Sequence, residues 1–307
     1  MPVGSPQLSA PAIRARKASA GEGPCEAPEP LVMVTAYDAP GARIVDEAGA
    51  DVILVGDSLA MVVLGYDDTL QVTVDDMVHH TAAVSRTRPR ALVVADLPWL
   101  SYHLSPEDTV RNSARLVRAG AQAVKLEGGL KRVAAVAALV DAEIPVMGHV
   151  GLTPQSVHTT GGYRVQGTTA EAAEALVSDA VSLCDAGCFA IVIEAVPASV
   201  ARAVTQAVPV PTIGIGAGPW CDGQVLVLHD LLGLEDRTVP RFVRRYASLK
   251  ADAVEAVAAF ASDVRARRFP AEAETYHGGT EIARAADIPA GARHQNGTGL
   301  RRLRPGA

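Results

Sequence analysis

Three stretches of the chain share one layout of apolar and polar positions. An Ala-Gly pair (Ala48-Gly49, Ala119-Gly120, Ala186-Gly187) closes a helical pattern, and a short apolar run follows. Each run ends on a carboxylate: Ile53-Leu54-Val55-Gly56-Asp57, Val124-Lys125-Leu126-Glu127 and Ile191-Val192-Ile193-Glu194. Glycine just past a helix tolerates the left-handed conformation that stops it, and a continuous Val/Ile/Leu run suits a parallel strand buried on both faces. The layout predicts a βα unit used repeatedly. Further runs at residues 31–36, 91–96, 144–149, 210–218 and 224–229 bring the count to eight strands. The class is therefore α/β, and the architecture a (β/α)8 barrel. Asp38 with Pro40, Thr73 with Asp75 and Asp76, and Ser105 with Pro106, Glu107 and Asp108 mark helix starts. Residues 59–72 and the Gly161-to-Thr168 segment read as loops over the barrel mouth. Residues 241–267 read as helical and partly amphipathic.

Composition adds boundaries. The 307 residues exceed the roughly 250 that a single barrel takes. Residues 1–30 hold six prolines among small and charged residues and read as a disordered leader; 31–270 form the catalytic barrel with C-terminal helices; 271–307, rich in Ala, Gly and Arg, read as a disordered tail. Both tails are expected to be dispensable. A net charge of −6 and a pI near 5.8 argue against a nucleic-acid partner. No apolar run is long enough for a membrane span, and no secretory signal is evident, so a cytoplasmic protein acting on small molecules is expected. Cys25, Cys184, Cys188 and Cys221 read as reduced thiols, and His79 and His80 as solvated or core side chains. The alternating Gly214, Gly216 and Gly218 lack dinucleotide-motif spacing and are read as a close backbone approach to a ligand.

The chemistry lies at the strand ends. In order these carry Asp57, Asp96, Lys125 with Glu127, His149 and Glu194. Catalytic groups of β/α barrels converge at the carboxyl ends of the strands. Lys125 and Glu127, two apart on one strand, point to the same side, and the lumen is the better place for two charges. Three carboxylates with at most one histidine and no thiolate select a hard cation, Mg²⁺ or Mn²⁺, over zinc. Such an ion can chelate a 2-oxo acid, polarise its ketone and stabilise an enolate. A leftover carboxylate would serve as base, and a lysine would hold the substrate's charge.

The strings Val-Gly-Asp-Ser at 55–58, Ala-Asp-Leu-Pro at 95–98, Val-Lys-Leu-Glu-Gly-Gly at 124–129, Gly-His-Val-Gly-Leu-Thr-Pro-Gln-Ser at 148–156 and Gly-Ile-Gly-Ala-Gly at 214–218 together resemble the ketopantoate hydroxymethyltransferase family. The match runs from about residue 31 to about 270, and Pro219-Trp220-Cys221 departs from it. The resemblance implies a barrel of the phosphoenolpyruvate/pyruvate superfamily. It implies transfer of a hydroxymethyl group from 5,10-methylenetetrahydrofolate to 2-oxoisovalerate, giving ketopantoate in the first committed step of pantothenate synthesis. It further implies one Mg²⁺ per subunit and a homo-oligomeric ring, commonly a decamer. Carried over by motif, Asp57 and Asp96 resemble metal ligands, with Glu127 completing the metal environment. Asp57, Ser58, Asp96 and Lys125 resemble substrate contacts, Glu194 the proton acceptor, and His149 an assisting group. Two alternatives remain at this point: another Mg²⁺-dependent 2-oxo-acid enolate enzyme, such as a lyase or phosphonomutase, and a non-catalytic barrel with a binding role.

Overall fold

A computed structural model of the chain describes residues 7–17, 29–235 and 240–277. Eight short strands, β1 (Leu31–Thr35), β2 (Val52–Val55), β3 (Leu92–Asp96), β4 (Ala123–Lys125), β5 (Val146–Gly151), β6 (Ala190–Glu194), β7 (Thr212–Ile215) and β8 (Gly223–Leu226), pair in parallel in sequence order. β1 also pairs with β8, which closes the barrel. The (β/α)8 expectation holds, with strands shorter at their ends than the apolar runs.

Alternation along each strand divides its side chains between two cores. Leu92 and Val94 of β3, Val52 and Leu54 of β2, and Ala190 and Val192 of β6 point inward, into the barrel lumen. Their neighbours Val93, Ile53, Ile191 and Ile193 pack outward against the helices. Period-two side-chain geometry makes this division obligatory once both faces are covered.

The helices are α1 (Ala10–Arg14), α2 (Ala39–Glu47), α3 (Leu59–Val62), α4 (Val74–Ser85), α5 (Pro106–Arg118), α6 (Val133–Asp141), α7 (Val157–Thr160), α8 (Ala170–Asp185), α9 (Ala198–Ala207), α10 (Leu228–Leu232) and α11 (Leu249–Arg265). The expected starts are in place. Asp38 accepts the Gly41 amide, Thr73 and Asp76 form a reciprocal capping box, and Ser105 accepts the Asp108 amide. The expected long helix begins eight residues later than 241, at Leu249, and the loop at 59–72 opens with the short helix α3.

The leader expectation fails over residues 7–17; the remainder of 1–30, apart from Glu29 and Pro30, lies outside the described residues, as do 278–307 of the expected tail. α1 is capped by Ser9 and carries Pro11 in its first turn, where a missing amide hydrogen costs nothing. Ile13 is wholly buried and Ala10 nearly so, both in the lumen core beside Leu31 and Leu92. The Leu8 amide donates to the Arg90 carbonyl at 2.7 Å, and Lys17 Nζ donates to Asp222 Oδ2 at 2.9 Å. A proline-rich average concealed one capped apolar turn. Burying a side chain such as Ile13 is worth about 1.5–3 kcal/mol, one of the contributions that hold the segment against the barrel.

The chain divides into two compact units at Lys250, earlier than the expected boundary near 270. Nearly all of α11 belongs to the second unit. Within the second unit Phe260 and Phe269 meet edge to face at 5.2 Å, and Arg268 pairs with Asp263 at 2.8 Å. Among the described residues, no helix is long and apolar enough to cross a membrane.

Candidate active site

The inward series of several strands runs from apolar to charged. Leu92 and Val94 lead to Asp96, Ala123 leads to Lys125, Met147 to His149, and Ala190 with Val192 to Glu194. Glu127 follows Lys125 by two residues and is also buried. Lys125 and Glu127 thus share the lumen side, as their spacing requires. Asp57 lies just beyond β2, where its amide donates to Asp96 Oδ2 at 3.1 Å. That contact brings it to the same place.

The polar groups interlock. Lys125 Nζ lies 3.0 Å from Asp96 Oδ1. The His149 ring sits between two carboxylates, with Nδ1 3.5 Å from Glu127 Oε1 and Nε2 3.3 Å from Glu194 Oε2. Lys125 Nζ also approaches His149 Nδ1 at 3.4 Å. With both groups charged this last contact is repulsive, and each cation finds its relief in the flanking carboxylates. Ser58 Oγ is 2.8 Å from the hydroxyl of Tyr37. Glu194 is the most open of these acids, its side chain 16% exposed against 3% for Asp96 and Glu127.

Burial raises Asp57 well above the usual carboxylate range, and the nearby charges of Asp96 and Glu127 add to the rise. Asp96 is raised by burial too, against the pull of Lys125. For His149, burial and Lys125 favour the neutral ring, yet the hydrogen bonds and charge of Glu127 and Glu194 push it up to about 9. Glu127 is held below its ordinary value although burial opposes this, because His149 donates to it. Four carboxyl groups thus crowd around Lys125 and the His149 ring.

This crowding of acids bears on a metal ion. Among the described residues, no three Asp, Glu, His or Cys side chains are close enough together to enclose one. The donors nevertheless fit a hard cation: Asp57 and Asp96 are buried carboxyl groups linked by the hydrogen bond from the Asp57 amide, and burial raises both, a penalty on their charge that a divalent ion would offset. Glu127 Oε2 already accepts the Gln155 amide at 3.1 Å.

Sequence reading missed three residues that touch this group: Tyr37, Tyr102 and Gln155. Each comes from a segment outside the strands, where no periodicity marks it. Burial pushes both tyrosine hydroxyls upward, so they stay protonated donors. Gly151 was quoted only as part of a motif, yet it has φ +98° and an added Cβ would lie 2.2 Å from the Glu194 carbonyl oxygen. Only glycine lets the end of β5 close against Glu194 in this way. Ala195, next in sequence, takes a left-handed φ of 47°, held by hydrogen bonds of 2.9 Å to Ile215 and from Gln166. Among the glycines after β7, a Cβ on Gly216 would meet the Phe242 ring at 2.6 Å, so this backbone is closely approached by the protein's own side chain. His80, read as solvated or core, places Nδ1 2.7 Å from the Tyr37 carbonyl oxygen.

The model of the ketopantoate hydroxymethyltransferase family matches residues 24–272. The chain belongs to that family. The 3-methyl-2-oxobutanoate hydroxymethyltransferase of Pyrobaculum islandicum is 60% identical over 242 residues, 79% of this chain and 92% of the relative. That of Moorella thermoacetica is 57% identical over 249 residues, 81% and 93% of the two chains. Among solved structures, 2,3-dimethylmalate lyase, a member of the PEP mutase/isocitrate lyase superfamily, aligns with a TM-score of 0.53 at 19% identity, covering 90% of this chain and 97% of its own. Phosphoenolpyruvate phosphomutase from Streptomyces platensis aligns with a TM-score of 0.54 at 16% identity, covering 91% and 95%. These two likenesses concern the fold.

Proposed function

We infer that the chain is a 3-methyl-2-oxobutanoate hydroxymethyltransferase, moving a one-carbon unit from 5,10-methylenetetrahydrofolate to 2-oxoisovalerate to give ketopantoate. The observation that carries this reading is the convergence of Asp57, Asp96, Lys125, Glu127, His149 and Glu194 in one polar cluster at the strand ends, in a chain of this family. Asp57 and Asp96 would hold Mg²⁺, with Glu127 completing its surroundings, and the ion would supply charge to polarise the ketone of the 2-oxo acid. Lys125 and Ser58 meet the substrate's oxygens. Glu194 takes the proton from C3 of 2-oxoisovalerate, and the carbon so freed accepts the one-carbon unit, water supplying the hydroxyl and tetrahydrofolate leaving. His149, 3.3 Å from Glu194, orients that carboxylate.

The cytoplasm is the compartment this reading expects, and a homo-oligomer its assembled form. Support for the latter comes from α11, whose Val254, Val257, Phe260 and Val264 are all exposed. A monomeric mass at micromolar concentration would overturn it. The reaction itself is tested by incubating the protein with 2-oxoisovalerate, the folate donor and Mg²⁺. Ketopantoate by mass is expected, and product formed without folate would point instead to a lyase or mutase.

A further inference from the structure

Gln155 reaches more of the site than any residue given a role so far. It stands in a single turn of 3-10 helix (Pro154–Ser156) after β5 and is 5% exposed. Its side-chain nitrogen donates to Asp57 Oδ2 at 2.8 Å and to the Leu97 carbonyl at 2.9 Å. Its side-chain oxygen accepts the Tyr102 hydroxyl at 2.6 Å, and its backbone amide donates to Glu127 Oε2 at 3.1 Å. The Glu127 amide in turn donates to the Tyr102 oxygen at 3.2 Å, which closes a ring of bonds.

The chemistry fixes which way the amide faces. A backbone carbonyl only accepts, so the atom against Leu97 must be the nitrogen, and its second hydrogen then points at Asp57. Tyr102, whose oxygen receives the Glu127 amide, gives its hydrogen to the amide oxygen. Both amide hydrogens are thereby used. One oxygen of Asp57 is bound by a neutral donor, and the other is left for a cation or substrate. A lysine in this place would cancel the charge the ion needs, and an acid would add a fifth carboxylate.

We propose that Gln155 is the positioning residue of the metal site, holding Asp57 and Glu127 in one arrangement across β2 and β4, with Tyr102 setting the direction of its amide. This rests on the reading of Asp57 and Asp96 as metal ligands. Gln155 acts through those carboxylates and performs no step on the substrate. Partners of this kind orient ligands before the ion arrives, and their loss commonly weakens metal affinity about 10- to 100-fold.

The test is Mn²⁺ affinity of the full-length, substrate-free protein, by calorimetry or by paramagnetic resonance of the free ion, for wild type, Gln155→Leu and Tyr102→Phe. Turnover is measured beside it across a range of Mg²⁺ concentrations. The Gln155→Leu dissociation constant is expected to rise about 10- to 100-fold, with most of the lost turnover restored at saturating Mg²⁺. Tyr102→Phe is expected to move the same way by a smaller factor. Wild type that binds no Mn²⁺ would defeat the metal assignment itself. Wild-type binding with an unchanged constant in Gln155→Leu would defeat only the role of Gln155, as would lost turnover that no Mg²⁺ concentration restores. Should Gln155→Leu fail to fold, Tyr102→Phe decides: a weakened constant upholds the proposal and an unchanged one overturns it.

Discussion

At the amino end of the barrel the inward positions are Leu31, Val52, Leu92 and Ala190, and Ile13 of α1 completes them from below. At the carboxyl end the same alternation delivers Asp96, Lys125, His149 and Glu194. The backbone geometry is common to both ends; only the side chains differ. Apolar groups at the closed end turn burial directly into stability. Charged groups at the open end are desolvated and crowded, a condition that stabilises little and shifts proton affinities by units. One barrel thus separates what holds it together from what gives it chemistry, and substitutions at the two ends should have different signatures.

The largest effect is expected at the open end. Asp57→Ala or Asp96→Ala should lower turnover by orders of magnitude while the protein stays folded, because each removes one of few oxygen donors for a hard cation. Steady-state rates at fixed Mg²⁺, with circular dichroism as the control for folding, measure this. Full activity in excess chelator would count against the metal assignment.

The closed end should answer in stability. Ile13→Ala empties a fully buried position, and such truncations cost about 2–5 kcal/mol. Denaturant melts should show that loss, with turnover below the transition close to normal. Deleting residues 1–17 should destabilise the barrel further, which reverses the expectation that the whole leader is dispensable.

A smaller effect concerns pH. The His103 and Tyr102 rings lie 4.2 Å apart between centroids, and the buried Nδ1 of His103 has no hydrogen-bond partner among the described residues. Burial, with Arg132 nearby, lowers its pKa from 6.5 to about 4. The unfolded chain therefore binds the proton more readily than the folded one between these values, and stability should fall as pH drops from about 6.5 towards 4. The fall should be shallower in His103→Gln, compared by melting temperature across that window.

The parts of this site that were legible in the sequence are those that obey alternation. Asp96, Lys125, Glu127, His149 and Glu194 end or follow apolar runs whose period puts them in the lumen, so strand assignment alone located them. Asp57 was legible only as a run terminus, since its place depends on the hydrogen bond its amide donates to Asp96. Tyr37, Tyr102 and Gln155 escaped because loop segments follow no period, and their partners lie 21, 53 and 98 residues away. α1 escaped for a different reason: average composition over 1–30 hides a single turn whose signal is Ser9, Pro11 and Ile13. Local pattern thus carries the scaffold and its inward charges, while the bonds that orient those charges are tertiary.

The central claim is that the open end exists to take a proton from carbon, with Glu194 as the acceptor. In D₂O, with Mg²⁺ and no folate, the wild-type protein should exchange the C3 hydrogen of 2-oxoisovalerate for deuterium, a reaction readable by proton resonance. Glu194→Gln keeps the shape of the side chain but cannot accept a proton, and loss of a general base costs about 10²- to 10⁴-fold. Exchange in the mutant should fall by that factor while oxo-acid binding survives. Exchange at the wild-type rate would contradict the account and show that the acceptor is a group other than Glu194.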